Sequence, residues 1–378
     1  VAFDVAGKHG TRDFLNELGV RPIINGAGTY TKFTSTLMRP EVVEAMASVA
    51  GRFVRVDELH DSVGHRIATL LDCEAAMVTS GAFGALTAGT AACVAGTNAA
   101  NIQRIPDITG MKSEVIIQRS HRFPYDHAVR NCGVRLIEVD TRGDLERAIS
   151  DRTAMMLFLN KAEPDGEIDA AEFVEIGRRC RVPTFNDAAA DVPPAENLFK
   201  YTKMGFDLVA FSGGKGLCGP QGAGLLLGRN DLIAAARLNS APNSDTIARG
   251  LKVTKEELVG MLVALELYLG RDHQAEFRAW DARVEAIASR LRALRGVTVE
   301  RFVPKIANAV PHLRIRWDER IVGVSPSNVV EQLRDGDPSI ELVPVPSQTG
   351  SLEIASWTLE PGEAEIIAQR LSDVLKSA

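Results

Sequence analysis

The residues best placed to do chemistry cluster around one lysine. Lys215 stands in the run Ser212-Gly213-Gly214-Lys215-Gly216-Leu217-Cys218-Gly219-Pro220-Gln221-Gly222, directly after a short apolar stretch at 207–211. Glycines at this density suit a backbone that takes positive φ or passes close to a ligand. A single amine there, at the carboxyl end of a strand where open α/β folds bind their ligands, is a candidate Schiff-base nucleophile. The plainer alternative is a glycine-rich surface turn with a solvated lysine.

Other residues favour the first reading, because pyridoxal 5'-phosphate needs an imine lysine, an acid at the pyridinium nitrogen, an anion site for its phosphate and a flat group against the ring. Asp187, ending an apolar run at 182–186, is the candidate acid, with Asp191 a rival and a turn-capping role the alternative. Ser80-Gly81-Ala82 lies between an expected strand and an expected helix, where free N–H groups and the helix dipole attract anions. Ser212 adds a hydroxyl near Lys215. A serine at a helix start is more often only an N-cap. His121, just after 114–118, is the candidate ring-stacking group, and Asn160 is either a donor to the cofactor's 3-oxygen or an ordinary turn asparagine, the commoner use. Arg39, Arg55, Arg119, Arg122, Arg249, Arg314 and Arg316 all suit a substrate carboxylate, and His60, His65 and His127 remain unassigned.

The elements that must position these groups follow from periodicity. Short β-rich runs at 75–79, 114–118, 134–139, 154–159, 182–186, 207–211 and 223–228 alternate with helical patterning at 81–94, 124–131, 144–150 and 170–179. Such alternation predicts an α/β domain with a seven-stranded, mostly parallel sheet. Between the last two runs lies only the glycine-rich stretch 212–222, too short for a helical crossover, so the seventh strand is expected to run antiparallel. Beyond about Pro242 long amphipathic segments at 255–269 and 272–295, then short strands and a helix near 363–376, predict a smaller α+β unit. The expected division is an amino-terminal segment at 1–45 packing on both domains, a cofactor-binding domain at 46–245 and a small domain at 246–378.

The chain has 378 residues, 45% of them hydrophobic, which is enough for two substantial cores. Its net charge of −6 argues against a nucleic-acid partner held over a broad basic face. Five scattered cysteines, without a C-x-x-C pair, read as thiols of a reducing cytoplasm rather than a metal site. No uninterrupted apolar run of about 18 residues suggests a membrane span.

Taken together, Asp207-Leu208-Val209-Ala210-Phe211-Ser212-Gly213-Gly214-Lys215 and Gly219-Pro220-Gln221 resemble the lysine segment of the selenocysteine-synthase-like branch of fold-type I pyridoxal-phosphate enzymes. Ile24-Asn25-Gly26-Ala27-Gly28-Thr29, Thr79-Ser80-Gly81-Ala82, Asn186-Asp187-Ala188-Ala189-Ala190 and Lys252-Val253-Thr254-Lys255-Glu256-Glu257 extend the resemblance from Pro22 to Glu257. The carboxyl-terminal third matches only in general layout. The resemblance implies the aspartate aminotransferase-like fold, an internal aldimine on Lys215, ring-nitrogen pairing by Asp187, cofactor contacts from Ser80, Gly81, Ala82 and Ser212, and a homodimer with active sites at its interface.

That branch holds selenium transferases acting on seryl-tRNA and small-molecule enzymes similar to D-glucosaminate or D-glucosaminate-6-phosphate ammonia-lyases. The acidic charge, an amino terminus short for a tRNA-binding extension, and the Asp-Ala-Ala-Ala stretch resemble the second group. The expected function is α,β-elimination of ammonia from a small hydroxy amino acid or amino sugar acid. A racemase or an aldolase shares its early steps and stays open as an alternative; a selenium transferase and a non-catalytic binding protein are further ones.

Overall fold

A computed structural model describes residues 13–344 and 350–376. The chain separates into two compact units, one of 38–271 with 306–308, the other of the described parts of 1–37, 272–305 and 309–378. Strand β1 (Ile23–Gly26) belongs to the second. The first is built on strands β2 (Ala75–Thr79), β3 (Glu114–Gln118), β4 (Arg135–Val139), β5 (Thr153–Leu159), β6 (Thr184–Asp187), β7 (Leu208–Ser212) and β8 (Gly224–Gly228).

These seven strands form one sheet in the order β2-β8-β7-β6-β5-β3-β4. Pairs β3–β4, β3–β5, β5–β6 and β6–β7 are parallel, whereas β8 is antiparallel to both β2 and β7. The reversal has the expected cause: the chain between Ser212 and Gly224 turns back on itself without a crossover helix. Strands β3 and β8 are buried along their whole length, as strands covered on both faces must be.

One face carries Phe158, Phe173, Phe206, Val209 and Phe211. The other carries Met77, Leu157, Phe185, Leu208 and Ala210 under the helix Gly81–Ala95, which is apolar and buried almost all round. That helix lies so near the sheet that a Cβ on Gly89 would overlap the Phe185 ring.

The helix Lys255–Leu269 lies past the expected boundary at 245, yet belongs with the sheet. Its Leu258, Met261, Ala264 and Leu265 are buried in the same core as Phe211 and Val209, and a Thr254–Glu257 capping box sets its start. The expected helix at 124–131 is a 3₁₀ turn, Pro124–Asp126, leading into the short helix His127–Arg130.

In the second unit β1 pairs in parallel with β11 (Ser339–Leu342), and β9 (Val297–Phe302), β10 (His312–Trp317) and β12 (Ser351–Ala355) form an antiparallel sheet in the order β12-β10-β9. Helices His273–Leu291, Pro326–Asp335 and Glu363–Lys376 bury Ile287, Leu291, Leu333, Ile367 and Leu371 against it. Of the segment expected at 1–45, β1 is thus part of this unit and the helix Pro40–Ala50 part of the sheet unit; residues 1–12 lie outside the described residues.

Overpacking at the helix–sheet contact tests this arrangement. Gly89→Val is expected to destabilise the protein by about 2 kcal/mol in urea unfolding. Gly250→Ala, where an added Cβ meets nothing within 4 Å, is expected to stay within about 0.5 kcal/mol of the parent.

Candidate active site

The β7–β8 reversal brings three sequence-distant segments together. Gly224 is the register partner of both Ser212 on β7 and Thr79 on β2, so Ser212 and the Thr79–Ser80 turn flank the same residue. A Cβ on Gly224 would lie 2.9 Å from Ala82 N, which leaves glycine as the residue that lets the Ser80–Ala82 turn close on the lysine hairpin. Within the hairpin Gly213 N donates to Ala223 O at 2.9 Å, Gly219 N to Gly213 O at 2.9 Å and Cys218 N to Lys215 O at 2.9 Å. Gly213 also meets Met261 Sδ, and Gly216 the Val192 carbonyl, with no room for a Cβ at either.

Lys215 is half-buried by this packing. Burial pushes its amine below the ordinary lysine range, Asp187 and Asp191 push it back up, and Lys161 pushes it down. Asp187 ends β6 and is buried, with Oδ1 accepting from Ala189 N at 3.1 Å. Burial raises its pKa, while the Ala189 N–H and Lys215 lower it. An amine of depressed basicity coupled electrostatically to a buried carboxylate has the character of a candidate reactive lysine.

Ser80 sits at the N-cap of the helix Gly81–Ala95 but makes no side-chain capping bond there, so the simple N-cap role is not met. Thr79 Oγ1 instead donates to Gly81 O at 2.9 Å, and Gly81 takes φ +64. The first N–H groups of the helix lack intrahelical acceptors and point out of its end, which makes the turn an anion site. Together with Ser212, this gives the donor set a phosphate requires. Lysine, acid and anion turn fit pyridoxal phosphate.

His121 needs correcting. It is 0% exposed; Leu159 N donates to its Nδ1 at 3.1 Å, its Nε2 lies 3.2 Å from Gln118 Nε2, and its edge packs on Phe158 at 4.5 Å between centroids. A ring enclosed on all sides has no face for a cofactor, and the ring-stacking assignment falls. Asn160 opens the 3₁₀ turn Asn160–Asp165, as the turn reading expects, and is buried there, with Nδ2 donating to Tyr201 Oη at 2.8 Å. Tyr201, on the helix Asn197–Met204, escaped sequence reasoning because nothing in the chain links it to Asn160. Asn186, whose amide is buried without a partner, carried a readable signal: a polar side chain inside an apolar strand.

Several arginines are committed elsewhere: Arg119 to Glu138 and Asp140, Arg122 to Asp126 and Glu138, Arg314 to Glu300 and Glu353, Arg316 to Glu300, and Arg55 to Glu58. His60 lines a narrow cavity with Thr79, Ser80 and Ser240. A wider groove lined by Arg178, Arg181 and Asp207 lies at the amino ends of β6 and β7, the far end of the sheet from Lys215.

The chain has relatives among known proteins. The family model for L-seryl-tRNA selenium transferase matches residues 23–292. The chain is 28% identical to D-glucosaminate-6-phosphate ammonia lyase of Salmonella typhimurium, over 97% of this chain and 99% of that protein. It is 29% identical to 5'-C-glycyluridine monooxygenase-decarboxylase of a Streptomyces species, over 95% of this chain and 91% of that one. A solved structure of D-glucosaminate-6-phosphate ammonia-lyase superposes with a TM-score of 0.84 at 28% identity, covering 98% of this chain and 100% of that one. The chain belongs to the L-seryl-tRNA selenium transferase family, and its fold is that of fold-type I pyridoxal-phosphate enzymes.

Burial lowers the His121 pKa from 6.5 to about 4, so the folded state holds the ring neutral where the unfolded chain protonates it. Its contribution is therefore complete above about pH 6.5 and is lost as pH falls toward 4, up to about 3 kcal/mol. His121→Gln is expected to flatten that part of the stability–pH curve, measured by urea unfolding at a series of pH values.

Proposed function

We propose that this member of the L-seryl-tRNA selenium transferase family is a pyridoxal-phosphate-dependent ammonia-lyase acting on a small hydroxy amino acid or amino sugar acid. The observation that carries the reading is the meeting at Gly224 of the lysine hairpin and the Ser80–Ala82 helix turn, with a buried Asp187 coupled electrostatically to the Lys215 amine. Lys215 is the residue to hold the cofactor covalently, Asp187 the partner of its ring nitrogen, and Ser80, Gly81, Ala82 and Ser212 the phosphate donors.

Bound pyridoxal phosphate supplies an electron sink for the pair left when a substrate α-proton departs. Lys215 Nζ, its basicity lowered by burial and freed from the cofactor when the substrate amine takes its place, would take that proton as general base. Asp187 would pair with the ring nitrogen and so keep the sink charged. Loss of the β-hydroxyl and hydrolysis then give ammonia and a 2-oxo acid.

D-glucosaminate 6-phosphate is the first substrate to test, since it appears in the name of the lyase relative. Exposed Met38, Val43, Phe53 and Val54 favour assembly as a homodimer. The thiols Cys73, Cys93, Cys132, Cys180 and Cys218 are free, which suits a reducing cytoplasm. Among the described residues no helix is long and apolar enough to cross a membrane.

The purified protein is expected to show a visible absorbance band that borohydride abolishes, leaving the cofactor fixed to the Lys215 peptide in mass spectrometry. Lys215→Ala should lose both the band and ammonia release. Asp187→Asn should keep the band and slow ammonia release by about a hundredfold or more. A colourless protein that pyridoxal phosphate cannot reconstitute defeats the reading, and chiral analysis of products separates elimination from racemisation and aldol cleavage.

A further inference from the structure

The polar groups buried around Lys215 do not balance. Asp191 lies in the turn that follows β6, its N–H donating to Ala188 O at 3.0 Å and its C=O accepting from Asn197 Nδ2 at 2.7 Å. The residue is 1% exposed, and neither carboxyl oxygen has a hydrogen-bond partner. Asn160, equally buried, commits Nδ2 to Tyr201 and leaves Oδ1 without a donor. Backbone packing ties this turn to the lysine, because Gly216 rests on the Val192 carbonyl and the Pro193 ring.

A buried carboxylate with no partner is costly, and so is an amide oxygen with no donor. One proton on Asp191 resolves both, since a neutral carboxyl needs no counter-charge and its O–H is a donor within an acceptor-rich pocket. The charged and titratable neighbours are Asp187 from β6, Lys215 from the hairpin and Tyr201 from the helix Asn197–Met204, with Lys161 and Glu163 acting on Lys215 and Tyr201. Burial, the largest influence, raises Asp191 to about 7; Asn160 pulls it down without reaching bonding geometry, Asp187 pushes it up, and Lys215 and the Ala307 N–H pull it down.

We propose that Asp191 is a positioning residue that keeps a proton in the site and, by remaining neutral, lets Lys215 stand as an uncharged amine. Were Asp187 and Asp191 both ionised, two negative charges would hold the lysine as ammonium. With one neutral, burial prevails and the amine is nucleophilic. The inference rests on the reading of Lys215 as the nucleophile, but its test needs no cofactor.

The full-length protein, freed of bound cofactor, is treated with an amine-selective reagent across a pH series, and labelling of the Lys215 peptide is quantified by mass spectrometry. Below about pH 7, where native Asp191 holds its proton, Asp191→Asn should label like the native protein; above it native Asp191 ionises and restrains the amine, so the variant should label up to roughly tenfold faster, and a variant that already labels faster below pH 7 overturns the proposal. Superposable profiles overturn the proposal. Should Asp191→Asn not fold, the infrared spectrum of the native protein decides. A protonated carboxyl band at neutral pH that disappears on mild alkalinisation and persists in Asp187→Asn supports it, and the absence of that band overturns it. Failure of the cofactor reading is seen separately, as a missing visible band.

Discussion

The partial burial of one amine governs this molecule. Lys215 is half-buried on a hairpin that the sheet itself closes, and the lost hydration of a charge so placed is offset by carboxylates nearby or by giving up the proton. The antiparallel return of β8 makes this possible. Pairing with both β2 and β7 locks the two ends of the hairpin into a fully covered sheet, and the glycines at 213, 216 and 224 let its backbone pass against Met261, Val192 and the Ser80–Ala82 turn. A side chain at any of these positions would hold the segments apart.

The surrounding elements serve that closure. The helix Gly81–Ala95 runs beneath the sheet, buried nearly all round, so its first turn is held rigidly where the hairpin returns. On the other face the helix Lys255–Leu269 packs Met261 beneath Gly213, while Arg271, just beyond its end, reaches the carbonyls of Gly216 and Leu217 at 3.5 Å. Asp187 ends β6, next to β7 in the sheet, so it is carried by the strand beside the one that leads into the lysine hairpin. Site precision here derives from sheet register rather than from loop conformation.

Much of this was legible in the chain. The alternation of β-rich and helical runs gave the strands to within a residue or two, and the short glycine-rich connection foretold the reversal, because a parallel return needs a crossover that eleven residues of that composition do not supply. Asp187 and Ser80 were candidates because each was expected at a strand end, where α/β folds place their ligands, and the structure puts them at the ends of β6 and β2. His121 satisfied the same rule and misled: a strand-end histidine is equally able to turn inward, and a partner such as Gln118 is as near in sequence as solvent. The helix Lys255–Leu269 was likewise assigned by position along the chain, whereas its allegiance follows the face that Leu258, Met261 and Leu265 bury.

By itself the sequence determined the fold class and marked Lys215 and Asp187 as candidates, because periodicity, glycine placement and strand-end position are local properties written in neighbouring residues. Only the tertiary structure decided that Asn160 meets Tyr201, that His121 is enclosed, and that Asp191 is left in the pocket with no partner for its carboxyl oxygens. Those outcomes depend on which side chains meet after strands far apart in sequence are laid side by side. The free energy of a buried polar group is set by those meetings and not by its neighbours along the chain.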